Sequence, residues 1–93
     1  MIRFEWDEAK NKSNKKKHGI DFESVRELWS DVDRIGIRAP YPLEDRYIMI
    51  GKIRGRLWTA IYTLRKDVVR IISVRRSRRR EAVLYDHEKA GEE

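Results

Sequence analysis

A chain of 93 residues that is 41% charged yet 10% aromatic, with a net charge of +6, suits one small folded domain whose partner is a polyanion, nucleic acid first among them. The absence of cysteine excludes a disulfide framework or a thiolate zinc site, and two histidines far apart in sequence make no metal cluster. The segment Ile2-Arg3-Phe4-Glu5-Trp6-Asp7 carries acids where a signal peptide is basic and then apolar, and no apolar run approaches the roughly 20 residues of a spanning helix, so a soluble, cytoplasmic protein with no membrane partner is expected.

Ile2, Phe4 and Trp6 alternate with Arg3 and Glu5, the period of a short strand with both aromatics on one face. Asp7 then caps a helix expected over residues 8–18, with Glu8 in its first turn, Lys15, Lys16, Lys17 and His18 in its last, and Gly19 just beyond. Only Ala9 and Ser13 give this helix an apolar side, so most of its surface should be wet or engaged with something charged. Asp21 caps a second helix, in which Phe22, Val25, Leu28 and Trp29 recur at helical spacing as a core stripe.

Ile35 and Ile37 suggest a third element, and the prolines of Ala39-Pro40-Tyr41-Pro42 make that segment a loop. Three strand-length runs follow, residues 47–53, 57–64 and 68–74, joined by Arg54-Gly55-Arg56 and Arg65-Lys66-Asp67 as an antiparallel meander. Along the middle run Leu57, Thr59, Ile61 and Thr63 share one face, and Trp58, Ala60, Tyr62 and Leu64 the other. One face should pack on the helices; the other is expected to form a groove where Tyr62, Arg70 or their neighbours meet a ligand. A last helix, beginning at Ser77 and covering about 78–88, carries Ala82, Val83 and Tyr85. The expected class is α+β: two N-terminal helices packed on an antiparallel meander, followed by a C-terminal helix.

Five arginines crowd residues 75–80, broken only by Ser77. Arg78, Arg79 and Arg80 would occupy the first turn of the last helix, where free backbone N–H groups already form a positive pole and each unpaired cation costs roughly 0.3–1 kcal/mol. Stability alone would place acids there, whereas a bound phosphate would meet N–H donors and guanidinium forks together. The plainer alternative is a solvated basic helix start offset by Glu81, Asp86 and Glu88. Lys15, Lys16 and Lys17 also have a plain explanation, because cations stabilise a helix C-terminus. Histidine is the side chain that changes charge near neutral pH, which keeps a proton-transfer role open for His18. Glu81 and Tyr85, at i and i+4, share a helical face and are individually ordinary. Arg56 and Arg65 sit in turns, where arginines are usually just exposed. Trp6, Trp29 and Trp58 fit a core better than a base-stacking platform, and no Gly-rich phosphate loop, Ser-His-Asp arrangement or HExxH is present.

Taken together, Phe4-Glu5-Trp6-Asp7, Lys10, Asn14, Lys17-His18-Gly19-Ile20, Phe22, Gly55-Arg56, Tyr62-Thr63, Arg65, Arg70-Ile71-Ile72-Ser73, Arg75, Glu81 and Tyr85 resemble the BrnT family over nearly the whole chain. The departures are mild: Val74 stands where that family commonly has alanine, and Ser77 where it has a small apolar residue. The resemblance implies a single RelE-like toxin domain over residues 1–93. It further implies an endoribonuclease toxin of a type II toxin-antitoxin system that arrests translation. Its partner would be BrnA, a ribbon-helix-helix antitoxin, in a 2:2 complex that binds operator DNA through the antitoxin.

RNA cleavage without a metal or cofactor needs a base for the 2′-OH, cations for the phosphate and an acid for the departing oxygen. The working assignment makes Arg75, Arg79 and Arg80 phosphate clamps, with Arg65 and Lys15 as further RNA contacts. His18 or Glu81 would accept the proton and Lys17 or Tyr85 donate one, so the expected catalytic set is His18, Lys17, Arg75, Glu81 and Tyr85. Two other classes stay open: a nucleic-acid-binding module or co-repressor that moves no proton, and a role in which the arginines serve mainly to capture an acidic antitoxin.

Overall fold

The computed structural model describes residues 2–40, 42 and 44–91. The first strand, β1 (Arg3–Trp6), leads straight into helix α1 (Glu8–His18). Asp7 caps the helix by accepting from the Lys10 N–H at 3.1 Å, and Gly19 ends it in the left-handed region at φ 77°, its N–H on the Lys15 carbonyl at 2.9 Å. Asp21 caps α2 (Phe22–Val25) in the same way, accepting from Ser24 N–H at 2.8 Å. The single second helix expected from the apolar stripe is split, because after one turn the chain tightens into a 3-10 helix, Arg26–Ser30. The stripe survives the change, with Phe22, Val25 and Leu28 fully buried.

Strands β2 (Ile35–Ala39), β3 (Arg46–Ile53), β4 (Arg56–Arg65) and β5 (Val68–Arg76) form an antiparallel meander, and β1 adds to it parallel beside β5, so the five-stranded order is β1-β5-β4-β3-β2. Ile35 and Ile37 lie in an edge strand, and Ala39, expected in the loop, is its last residue. Pro40 and Pro42 stand outside any strand, as the missing donor requires; Tyr41 of that loop lies outside the described residues.

The register of β4 against β5 shifts once. Ile61 faces Ser73 while Tyr62 faces Ile71, which leaves Ile72 as an extra residue in β5. This bulge decides which side chains share a face. Arg70 and Arg75 are five residues apart and would lie on opposite faces of a regular strand, yet here they pair with Thr63 and Thr59 on the same face. The opposite face of the sheet carries Phe4, Trp6, Val69, Ile71, Val74, Ala60, Tyr62 and Met49, covered by α1, α2 and the 3-10 helix, and holds the core. Trp29 meets Phe4 and Tyr62 edge-on at 5.1 Å each. Tyr62 is therefore a core residue, on the other side of the sheet from Arg70, so the two residues named for a groove do not share a face.

α1 reaches the core through polar side chains. β1 ends opposite Ile71, so the Val74 N–H has no strand beside it; Asn14 Oδ1 accepts it at 3.1 Å while Asn14 Nδ2 donates to the Ile20 carbonyl at 3.0 Å. Asn11 Oδ1 accepts the Phe22 N–H at 2.8 Å. Across the other face of the sheet runs α3 (Arg79–Gly91), over buried Thr59 and Ile50. It starts later than Ser77, because the Ser77 N–H still extends the sheet to the Leu57 carbonyl at 3.1 Å and Arg78 takes the capping position, its carbonyl accepting Ala82 N–H at 2.9 Å. No helix among the described residues is long and apolar enough to cross a membrane.

Candidate nucleic-acid interface

The end of β5 and the start of α3 meet in one hydrogen-bonded knot. Arg75 grips Glu81 with both forks, Nη1 on Oε1 at 2.7 Å and Nη2 on Oε2 at 2.8 Å. Glu81 Oε1 also accepts from the Arg78 N–H at 2.7 Å and from Thr59 Oγ1 at 3.0 Å, and Thr59 shares a further bond with Ser77 Oγ at 2.8 Å. Glu81 sits at the third position of α3 and reaches back to its capping residue, half of a capping box. With side chains only 20% and 15% exposed, the pair is well shielded. The Arg75 hydrogen bonds, helped by the Arg78 N–H and Thr59 and outweighing burial, hold the Glu81 carboxyl down at about 2; the same contact raises Arg75. Such a carboxylate is a weak base near neutral pH.

Beyond the knot, Arg78, Arg79 and Arg80 stand exposed around an open pocket whose floor is Glu81. Lys17 and His18 form a second group at the end of α1, sharing a shallow cleft with Lys10, Ser13, Asn14 and the bulged stretch Ile72-Ser73. The bulge thus places Ser73 beside the histidine at the edge that β1 leaves free.

The other expected site residues are elsewhere. Tyr85 is 1% exposed and its hydroxyl donates to Asp31 Oδ2 at 2.8 Å; burial and that acidic partner push its pKa up. Asp31 also accepts the Lys52 and Asp33 N–H groups at 2.8 and 2.9 Å, and these bonds outweigh burial to keep its carboxyl low. Tyr85 fastens α3 to the end of the 3-10 helix, close to Gly51, where a Cβ would stand 3.1 Å from Leu28 and 3.3 Å from Asp31. Arg65 lies at the far end of β4, beside Glu44 at 3.8 Å and six residues along the strand from Thr59, roughly 20 Å away. Lys15 faces Asp21 at 3.8 Å and lines a separate hollow with Arg56 and Trp58. Sequence reasoning missed Thr59, Ser77 and Asp31, which are polar side chains whose partners are distant in the chain. A glutamate three residues after the capping position was the one local signal for the knot.

The distribution of unpaired charge separates the surface into two kinds. Arg26, Arg38, Arg54 and Arg70 are neutralised by Glu23, Asp45, Glu27 and Glu5 at 2.6, 2.6, 3.0 and 3.1 Å. Among the described residues, cations with no partner gather instead as Lys10, Lys12, Lys16 and Lys17 on α1 and as Arg56, Arg78, Arg79 and Arg80 about the β5–α3 junction, with Arg3 and Lys66 outlying. No three His, Asp or Glu side chains among the described residues gather as metal ligands.

The molecule is a small α+β protein that leaves two basic clusters unneutralised among its described residues. Residues 6–81 match the family described as the ribonuclease toxin, BrnT, of type II toxin-antitoxin systems. The chain belongs to that family, and so to the toxins of ribonuclease type whose systems include an antitoxin. No curated protein matches it.

Proposed function

We propose that this chain is a metal-independent endoribonuclease of RelE-like fold, a single toxin domain over residues 1–93 that arrests translation in the cytoplasm by cutting RNA. The observation that carries this reading is the uneven neutralisation of charge. Arginines over much of the sheet are paired with acids, while α1 and the β5–α3 junction keep cations that only an external anion can satisfy. Lys17 and His18 meet the scissile phosphate at the end of α1, and Arg79 and Arg80 hold the flanking backbone from the β5–α3 junction. His18 takes the proton from the 2′-OH, which attacks phosphorus to form a 2′,3′-cyclic phosphate as the bond to the 5′-oxygen breaks and the Lys17 ammonium gives that oxygen a proton. Arg75 and Glu81, locked on each other, are the rigid base on which Arg79 and Arg80 are mounted, and Tyr85 is an anchor of α3. A ribbon-helix-helix antitoxin of the BrnA kind neutralises the toxin in a 2:2 complex that reaches operator DNA through the antitoxin.

Incubation of the purified protein with RNA in EDTA tests the reading. Cleavage is expected, falling about 10²–10⁴-fold in His18→Ala with RNA affinity retained, and falling through weaker binding in Arg79→Gln/Arg80→Gln. Intact RNA with normal binding would favour the second reading, a nucleic-acid-binding module without catalysis. That reading has one observation on its side: Glu81 and Tyr85, two groups able to carry protons, are both tied into structural bonds.

A further inference from the structure

Beside the β5–α3 junction, the end of α1 and the start of β4 enclose a hollow lined by Lys15, Ile20, Asp21, Ser24, Arg56 and Trp58. We infer that it takes one nucleobase of single-stranded RNA next to the cut, stacked on the Trp58 indole, with the adjoining phosphate held by Arg56 and Arg76. The inference rests on the RNA reading above and names a subsite for it.

Trp58 lies on the helix-covered face of the sheet, yet it is only half-buried, because α1 stops at Gly19 and leaves the ring open toward the hollow. Trp29 is half-buried as well, but it meets the rings of Phe4 and Tyr62 edge-on and, among the described residues, has no cation over its face. The Arg76 guanidinium stands 5.4 Å from the Trp58 ring centre, a cation held by an aromatic face without an acidic partner. Arg56 is exposed and has no partner, whereas Arg54 in the same rim is taken by Glu27 at 3.0 Å. One guanidinium beside the indole and a second, unpaired, in the rim of the same hollow are the elements with which non-sequence-specific single-strand sites are built: a ring for any base and cations for the backbone. Asp21 adds an acceptor. Its Oδ1 holds the Ser24 N–H at 2.8 Å and its Oδ2 stands 3.8 Å from the exposed Lys15, so the carboxylate lines the hollow as an acceptor for a base amino group. The hollow is also joined to the proposed cleavage surface, since Ser77 N–H bonds the Leu57 carbonyl and Arg76 precedes Arg78 by two residues.

A fluorescent 2′-O-methyl oligonucleotide, which cannot be cut, carrying 5-iodouridine distinguishes this from the wider reading. The wild-type protein should bind it and, on irradiation, cross-link at Trp58. Arg56→Ala should weaken binding about fivefold and flatten the slope of log K against log salt by about 0.7; Arg56→Lys should restore the slope. Trp58→Leu, checked for folding by circular dichroism, should weaken binding about tenfold or more. With cleavable RNA, Arg56→Ala should raise KM and leave kcat unchanged. Cross-links confined to peptides carrying Arg79 and Arg80, with wild-type affinity and slope in Arg56→Ala, would overturn the subsite and leave the RNA reading standing. No binding by the wild-type protein would overturn both.

Discussion

Arg75 and Glu81, both in the expected catalytic set, are bonded to each other in the fold. The arginine lies one row before the end of β5 and the glutamate in the first turn of the last helix, and their two parallel bonds weld one element to the other. The sign of the resulting pH dependence follows from the depressed carboxyl. Its pKa falls from 4.5 in the unfolded chain to about 2 in the folded one, so the pair stabilises fully above about pH 5 and loses that contribution as pH falls through 4.5 toward 2. A displacement of this size corresponds to on the order of 3 kcal/mol. Glu81→Gln should therefore be less stable than the wild type by about that amount at pH 7, and the gap should close by pH 2. Urea denaturation of both proteins from pH 2 to pH 7 measures it; a gap that does not change with pH would mean that the charge of Glu81 contributes nothing.

At the scale of elements, the bulge in β5 and the asparagines of α1 solve one problem together. β1 covers only the first part of β5, and past Ile71 the strand must find other partners for its outer edge. The extra residue at Ile72 re-aims the strand, and Asn14 stands in for the missing neighbour by accepting the Val74 N–H. Asn14→Leu leaves that N–H and the Ile20 carbonyl without their partner in the interior and should cost about 2–6 kcal/mol, since each buried group left unpaired costs about 1–3. Asn14→Asp, which keeps the acceptor and loses the donor, should lie between. Chemical denaturation ranks the three proteins, and Leu matching the wild type would show that water reaches both groups. The helix ends and three meander strands were legible in the sequence because caps and alternation are local: Asp7, Gly19 and Asp21 do what their types dictate. The parallel pairing of β1 with β5 was not, since it joins residues more than sixty apart, and neither was the bulge, which nothing in Arg70-Ile71-Ile72-Ser73 announces. Arg79 and Arg80 stand at the helix start where the dipole argument puts them, but which face receives Arg70 and Arg75 depends on one unpaired residue. The sparse apolar side of α1 was read correctly and interpreted too narrowly, because polar side chains can anchor a helix when they satisfy buried backbone.

Over the whole molecule, charge is sorted by pairing rather than by position in the chain. Acids lie between the two basic blocks in sequence, and the fold uses several of them to neutralise arginines of the sheet and its turns, leaving α1 and the β5–α3 junction as the unneutralised part of the surface. The core face of the sheet and the crossing of α3 hold these two clusters on a body only 39 × 28 × 27 Å, small enough for one strand of RNA to touch both. Salt dependence reads this arrangement directly, because each phosphate contact to a single strand contributes about −0.7 to the slope of log K against log salt. Replacing Arg78, Arg79 and Arg80 by Gln should flatten the slope by up to about 2, and replacing Lys10, Lys12, Lys16 and Lys17 by Gln by up to about 3. The control is Arg38→Gln with Arg65→Gln, which removes two charges already facing Asp45 and Glu44 and should leave the slope nearly unchanged. Binding of a single-stranded oligonucleotide titrated with salt measures all three variants. If the control flattened the slope as much as the junction variant, RNA would be responding to net charge alone, and pairing would not select the surface it meets.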